Sequence, residues 1–132
     1  MRTKPNLPYY LYKAANTLYR WNIPVLPFCI KSFMRVTLCA VIPYEAQIGK
    51  NVHFGFNGLG IVLHRKSLIG SNVHIFHQVT IGGGRGGTPR IGNNVVIGSG
   101  AKIIGAVTIG DHVRIGANAI VLDDVPSHCT AV

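Results

Sequence analysis

Aliphatic residues recur every six positions through much of the chain: Ile91, Ile97, Ile103, Ile109, Ile115 and Val121. A second series runs two residues ahead of it: Val95, Ala101, Val107, Val113, Ala119 and Val125. Upstream the phase continues through Ile48 and Phe54, then through Leu63, Ile69, Ile75 and Ile81. Two interruptions break it. Three extra residues fall between Phe54 and Leu63, and four fall between Ile81 and Ile91, within residues 82–89. Six is not a helical period, whereas two inward positions two residues apart have the strand period. Gly92, Gly98, Gly110 and Gly116 directly follow the main series, where a residue without a side chain permits a sharp corner. Each hexad thus predicts one short strand and one corner. Three hexads close a triangular coil, and the twelve hexads predict about four coils of a parallel β-helix. Each coil buries its aliphatics against the next, so no coil is stable alone. The period does not set the hand of the winding; ordinary parallel crossovers are right-handed.

The chain changes character near Pro43. All 16 glycines lie at or after Gly49, and five of the seven prolines lie at or before Pro43. The chain is accordingly divided into a helical segment, residues 1–43, and a repeat, residues 44–132. Two short helices are predicted in the first part. One covers residues 8–21, with Leu11, Ala14, Ala15 and Leu18 on a shared face. Pro24 and Pro27 interrupt the chain, and a second helix is predicted over residues 28–40, with Ile30, Phe33, Met34 and Leu38 as its apolar side.

Charge adds to this picture. The net charge is +9, which suits an anionic partner such as a membrane surface or a phosphorylated cofactor. Arg2, Lys4, Lys13, Arg20, Lys31 and Arg35 lie in the first 43 residues without an acidic residue, among Tyr9, Tyr10, Tyr12, Tyr19 and Trp21. Such a stretch either lies on an anionic membrane or caps the repeat and makes oligomer contacts. With 48% hydrophobic and 13% charged residues, a disordered chain is excluded. No apolar run approaches the ~20 residues of a membrane span, and the start does not resemble a cleaved signal peptide. Cys29, Cys39 and Cys129 lack metal or redox spacing and read as reduced thiols of a cytoplasmic protein. No metal site is expected. Nucleic acid is not expected either, because the repeat carries no recognised binding motif or aromatic platform.

The hexads resemble those of the hexapeptide-repeat acyltransferases. Asn57-Gly58-Leu59-Gly60-Ile61-Val62-Leu63-His64, Val79-Thr80-Ile81-Gly82-Gly83 and Ile97-Gly98-Ser99-Gly100-Ala101-Lys102-Ile103-Ile104-Gly105 are similar to the serine acetyltransferase-like branch. Ile115-Gly116-Ala117-Asn118-Ala119-Ile120-Val121-Leu122 and Asp124-Val125-Pro126 extend the likeness. The resemblance covers residues 43–132. It implies a mainly β fold, a left-handed parallel β-helix, with a short α-helical N-terminal segment here. It also implies a homotrimer, acetyl-CoA as donor, a hydroxyl acceptor, and a CoA groove between adjacent β-helices. The branch carries a catalytic His in the first interruption, where Phe56 and Asn57 stand here, and often a second before the Pro that reopens the repeat, where Thr88 stands. A larger helical N-terminal domain and a Gly-x-Pro-Ala close of the β-helix are also usual in the branch. The short N-terminus therefore points to a sugar or polysaccharide precursor as acceptor, with the protein cytoplasmic or peripheral to the inner membrane, and the missing close to a truncated chain. The alternatives are serine O-acetylation and a non-catalytic β-helix serving in oligomer assembly.

Acetyl transfer from a thioester to an alcohol needs a base for the hydroxyl proton, donors for the oxyanion, and close placement of both substrates. Histidine is the natural base. The period turns His53, His74 and His112 outward, and His128 lies at the end, so these four read as solvated imidazoles. His64 follows Leu63 at a corner one coil below the glycine-rich loop of residues 82–89. His77 occupies the corner stacked on residues 56–60. Both corners carry inserted loops, where sites tend to be built. His64 is the expected base and His77 the second candidate; in a trimer one corner can face the other on a neighbouring chain. Asn57 is a candidate for binding the acceptor or the oxyanion. Gly83 in the loop, with Ala101 and Ala119 in the stretches where the family binds CoA, are expected against the cofactor. Arg85, Arg90, Lys102 and Arg114 are candidates for its phosphates.

Overall fold

A computed structural model describes residues 4–132, so Arg2 of the basic N-terminus lies outside the described residues. The column is a parallel β-helix of four coils and the start of a fifth. Coil one is β1 (Gln47–Ile48), β2 (His53–Phe54) and β3 (Val62–Leu63). Coil two is β4 (Leu68–Ile69), β5 (His74–Ile75) and β6 (Thr80–Gly82). Coil three is β7 (Arg90–Ile91), β8 (Val96–Ile97) and β9 (Lys102–Ile104). Coil four is β10 (Thr108–Ile109), β11 (Arg114–Ile115) and β12 (Ile120–Val121), and β13 (Thr130–Ala131) lies on β11. Corresponding strands stack in register as three flat faces. The first is β1-β4-β7-β10, the second β2-β5-β8-β11-β13, and the third β3-β6-β9-β12.

Every residue of the main six-residue series is buried, from Ile48 to Val121. The leading series is buried too, down to Val113 and Ala119. The expectation of stacked three-strand coils therefore holds at each anchor. Ser67 is the exception in chemistry: it fills an inward position at 0% exposure, and its Oγ has no hydrogen-bond partner.

The corners work differently from the sequence expectation. The glycines after the anchors do not supply a left-handed turn; they allow close approach between coils. A side chain on Gly98 would lie 2.6 Å from the backbone nitrogen of Ala117 in the coil above. The left-handed residues fall further along. Asn51, Asn72, Asn94, His112 and His128 hold φ of 56–64° at the first corner, between the first and second faces. Asn and His tolerate this region better than branched residues do. Side chains there link successive coils: Ser71 N–H donates to Asn93 Oδ1 at 2.8 Å, Asn93 N–H to Asp111 Oδ1 at 2.7 Å, and Asp111 N–H to Ser127 Oγ at 2.9 Å.

The helices are α1 (Leu7–Arg20) and α2 (Leu26–Thr37). The second starts two residues earlier than expected because Pro27 sits in its first turn, where a missing N–H costs nothing. It stops earlier because Cys39 takes φ 52°. The helical segment is bonded into the column. Tyr12 is buried; its hydroxyl donates to Ala46 O and accepts Ile48 N–H at 3.2 Å. Burial pushes its pKa up to about 12. Tyr9 donates to Gly49 O at 3.0 Å. Val41 pairs with Val62, so the stack begins before β1.

On the second face the outward residues form a ladder. The His53 and His74 rings meet at 4.6 Å, tilted by 60°, and His74 stacks on Phe76 at 4.3 Å. His53 Nδ1 pairs with Lys4 O at 2.7 Å. Both rings are half-buried rather than solvated as expected, because the neighbouring rung and the N-terminus cover them. His112 and His128 are exposed, as expected, and stack at 4.8 Å.

Three outcomes test this account. Gly98→Ala is expected to lower the free energy of unfolding by about 1–3 kcal/mol in urea titration, since the methyl meets backbone and not a movable side chain. Tyr12→Phe leaves Ala46 O and Ile48 N–H buried without that partner, at a cost of about 1–3 kcal/mol. Burial, and then the charge of His53, hold the His74 pKa below 6.5. Unfolding frees the ring to take up a proton, so stability falls as pH drops below about 6.5. His74→Asn is expected to flatten that part of a melting-temperature profile taken between about pH 7 and 5.

Candidate functional site

Two corners carry the inserted residues, and they flank the third face. At the second corner, between the second and third faces, the chain makes a short turn at Gly55–Gly58. Phe56 and Asn57 take consecutive left-handed conformations, φ 50° and 53°. For an aromatic residue this is a strained choice, costing on the order of 1–3 kcal/mol. Phe56 is 72% exposed, and its ring meets the His77 ring edge-on at 4.8 Å. Gly55 lets the next coil approach closely here, since a side chain there would lie 3.2 Å from Phe76 Cα. His77 is half-buried, and its Nδ1 is buried without a hydrogen-bond partner.

At the third corner, between the third face and the next coil, His64 lies under the glycine-rich loop. Its Nδ1 accepts Lys66 N–H at 3.1 Å. With that nitrogen accepting, the neutral ring carries its proton on Nε2. A side chain on Gly83 would lie 3.3 Å from Nε2 and Cδ2, so glycine is what leaves the ring its space. The loop itself is a tight turn: Gly84 and Gly87 exchange backbone hydrogen bonds at 3.0 and 3.3 Å. Gly86 and Gly87 hold φ of 87° and 144°, which only glycine takes without strain. Thr88 Oγ1 donates to Lys66 O at 3.2 Å and ties the loop to the His64 corner.

The remaining sequence candidates are scattered. Ala101 and Ala119 are 0% and 6% exposed and turn their side chains to the interior, which leaves only their backbone to the outside of the column. Their place in the leading six-residue series already required this. Arg90 stands on the first face, Arg114 on the second, Lys102 on the third, and Arg85 on the loop. One chain therefore cannot bring all four to the same phosphates. Lys102 Nζ is held to Gly100 O at 2.8 Å and Gln78 O at 3.4 Å. Within one chain Gly83 and His64 meet, and Phe56, Asn57 and His77 cluster at the opposite edge of the third face. Sequence reasoning missed the Lys66 N–H bond to His64 and the His53 pairing with Lys4; nothing in the six-residue pattern signals either.

Comparison with known proteins agrees with this architecture. Residues 88–123 match the family described as bacterial transferase hexapeptide (six repeats). A serine acetyltransferase of Synechococcus elongatus is 38% identical over 92% of this chain, which spans 51% of that protein. One of Helicobacter pylori (strain J99) is 39% identical over 92% of this chain and 72% of its own length. Among solved structures, a Brucella abortus serine acetyltransferase in complex with coenzyme A superposes with a TM-score of 0.86 at 28% identity, covering 92% of this chain and 50% of that one. By fold, repeat and sequence, the chain belongs to the serine acetyltransferase branch of the hexapeptide-repeat transferases.

Proposed function

We propose that this protein transfers the acetyl group of acetyl-CoA to the hydroxyl of serine or a similar small acceptor. Similarity to serine acetyltransferases across 92% of the chain carries this reading. The resemblance to the family implies a trimer. In such an assembly the third corner of one chain meets the second corner of the next, and His64 and His77 come to a shared seam. The outward row of the third face is Val62, Thr80, Lys102 and Ile120, and Ile120 is 70% exposed. The row is apolar at both ends, at Val62 and Ile120, and polar between, which suits a neighbouring chain or the amide-bearing pantetheine arm.

In this reading the two histidines exchange the roles expected from the sequence. His64 presents an N–H at Nε2 and serves as donor to the thioester carbonyl oxygen as it gains charge. His77 retains an uncommitted ring and takes the acceptor's hydroxyl proton. The acceptor oxygen attacks the carbonyl carbon, a C–O bond forms and the C–S bond breaks. The proton held by His77 passes to the departing CoA thiolate. Asn57, beside His77, holds the acceptor. Gly83 and Arg85 from the loop, with Lys102 from the third face, line the CoA side. Arg90 and Arg114 serve the phosphates only where a neighbour brings them near.

A sugar hydroxyl is the second reading. It is favoured by Phe56, an exposed ring beside His77 that offers a sugar an apolar platform.

The test is CoA-thiol release with serine and with nucleotide sugars. His77→Ala is expected to lose about 10²–10⁴-fold in kcat. His64→Gln, which keeps an N–H, is expected to retain more activity than His64→Ala. Equal mixtures of refolded His64→Ala and His77→Ala chains regain activity up to about a quarter of wild type, because heterologous seams then pair an intact His64 with an intact His77. Full activity of both single variants overturns the assignment. Loss in both without recovery on mixing overturns the shared seam. Turnover of sugars but not serine selects the second reading.

A further inference from the structure

The helical segment leaves one face unpartnered. α2 buries Pro27 and Met34 and rests Ile30 and Leu38 against the core. Its other side carries Leu26, Cys29, Phe33 and Val36 outward, with Val25 just before it. The turn before α2 adds Trp21 and Ile23. These are not marginal exposures: Trp21 is 69%, Phe33 56% and Val36 80% exposed. Val25, Cys29, Phe33 and Val36 are spaced four, four and three residues apart, which places them in one stripe along a helix. Beside the stripe stand Phe28 and Arg35, Arg20 closes α1, and half-buried Lys31 reaches back over the Tyr44 ring at 5.9 Å.

We propose that this face docks the protein on an anionic lipid surface, with α2 lying in the plane of the headgroups. Charge complementarity selects this occupant. Between residues 4 and 40 there are five basic residues, Lys4, Lys13, Arg20, Lys31 and Arg35, and no acidic one. Three of the four acidic residues, Asp111, Asp123 and Asp124, belong to the far end of the column. A second copy on this face brings a like-charged, acid-free helical segment against the first. A lipid surface instead accepts the aromatic and aliphatic stripe into its interface and the cations at its phosphates. With 12 residues α2 is far short of the ~20 that span a bilayer, so the helix lies on the membrane and does not cross it.

The single tryptophan of the chain sits in the patch and reports on it directly. The full chain is expected to sediment with phosphatidylcholine vesicles containing about one third phosphatidylglycerol at about 0.1 M salt, and not with pure phosphatidylcholine. Trp21 emission shifts to the blue on binding. Lys31→Gln with Arg35→Gln weakens binding about 25-fold, at about fivefold per charge near the surface. Phe33→Ser with Val36→Ser removes both sedimentation and the spectral shift, while far-UV circular dichroism and the melting temperature stay at wild-type values because both side chains are already exposed. Four results overturn the proposal: no sedimentation at low salt, equal binding to neutral vesicles, an unchanged Trp21 spectrum, or unaltered binding by both double variants. Sedimentation velocity supplies a fifth. If the wild type associates beyond a trimer and Phe33→Ser with Val36→Ser dissolves that association, the face joins copies of this chain and lipid docking is rejected.

Discussion

Single-file burial governs this molecule. Each coil has three short strands and buries little on its own; its aliphatic anchors become a core only when another coil covers them. Ile75 and Ile97 reach complete burial because each is clamped by rungs above and below, and Phe54, on the edge strand of its face, because the helical segment covers its open side. The constraint extends to the helices. An uncovered first coil would leave Ala46, Ile48 and Val52 facing water, and α1 closes that end through the Tyr9 and Tyr12 hydroxyls. The helical segment is thereby a part of the core, although its composition looks like that of a separate unit.

Tight stacking also dictates the chemistry of the corners. Coils this close leave no room for a side chain at Gly98, or at Gly49 and Gly70, whose side chains would strike the next coil. The bend is then made by residues that tolerate a positive φ, chiefly asparagine. Their neighbours Ser71, Asn93 and Asp111 bond from coil to coil. The first corner is therefore a polar ladder, sealed and regular. The second and third corners carry the insertions, and irregular backbone is found there: the strained pair Phe56 and Asn57, and the glycine turn pinned by Thr88.

This division explains what was legible in the sequence. The anchors announce themselves because burial admits only apolar residues at a fixed spacing, so coil number and strand positions follow from Ile48 to Val121. The purpose of the glycines is less visible, because φ and the distance to the next coil are both silent in a pattern of residue types. Ala101 and Ala119 lie in stretches that resemble CoA-binding segments, and their phase turns the methyl groups inside. His64 and His77 are visible as departures from the rule at corners. Their hydrogen bonds are not, since Lys66 N–H is a backbone group and carries no signature. The ladder of His53 and His74 escapes for the same reason: outward does not mean solvated when the next rung carries another ring.

A column of this kind has no interior space for a substrate. The inward positions are filled mostly with β-branched side chains, and Ser67, the one buried polar side chain among the described residues, is already sealed. Chemistry must therefore occur on the outside, where a lone convex triangle offers little shelter from water. Shelter requires a second surface, and a flat, partly apolar third face flanked by His77 on one edge and His64 on the other is shaped for one. Under the proposed function, the separation of the two histidines within one chain meets that requirement. Groups at opposite edges of a face cannot cooperate across it, but they meet at every seam of a closed ring in which each chain offers its third corner to the second corner of the next.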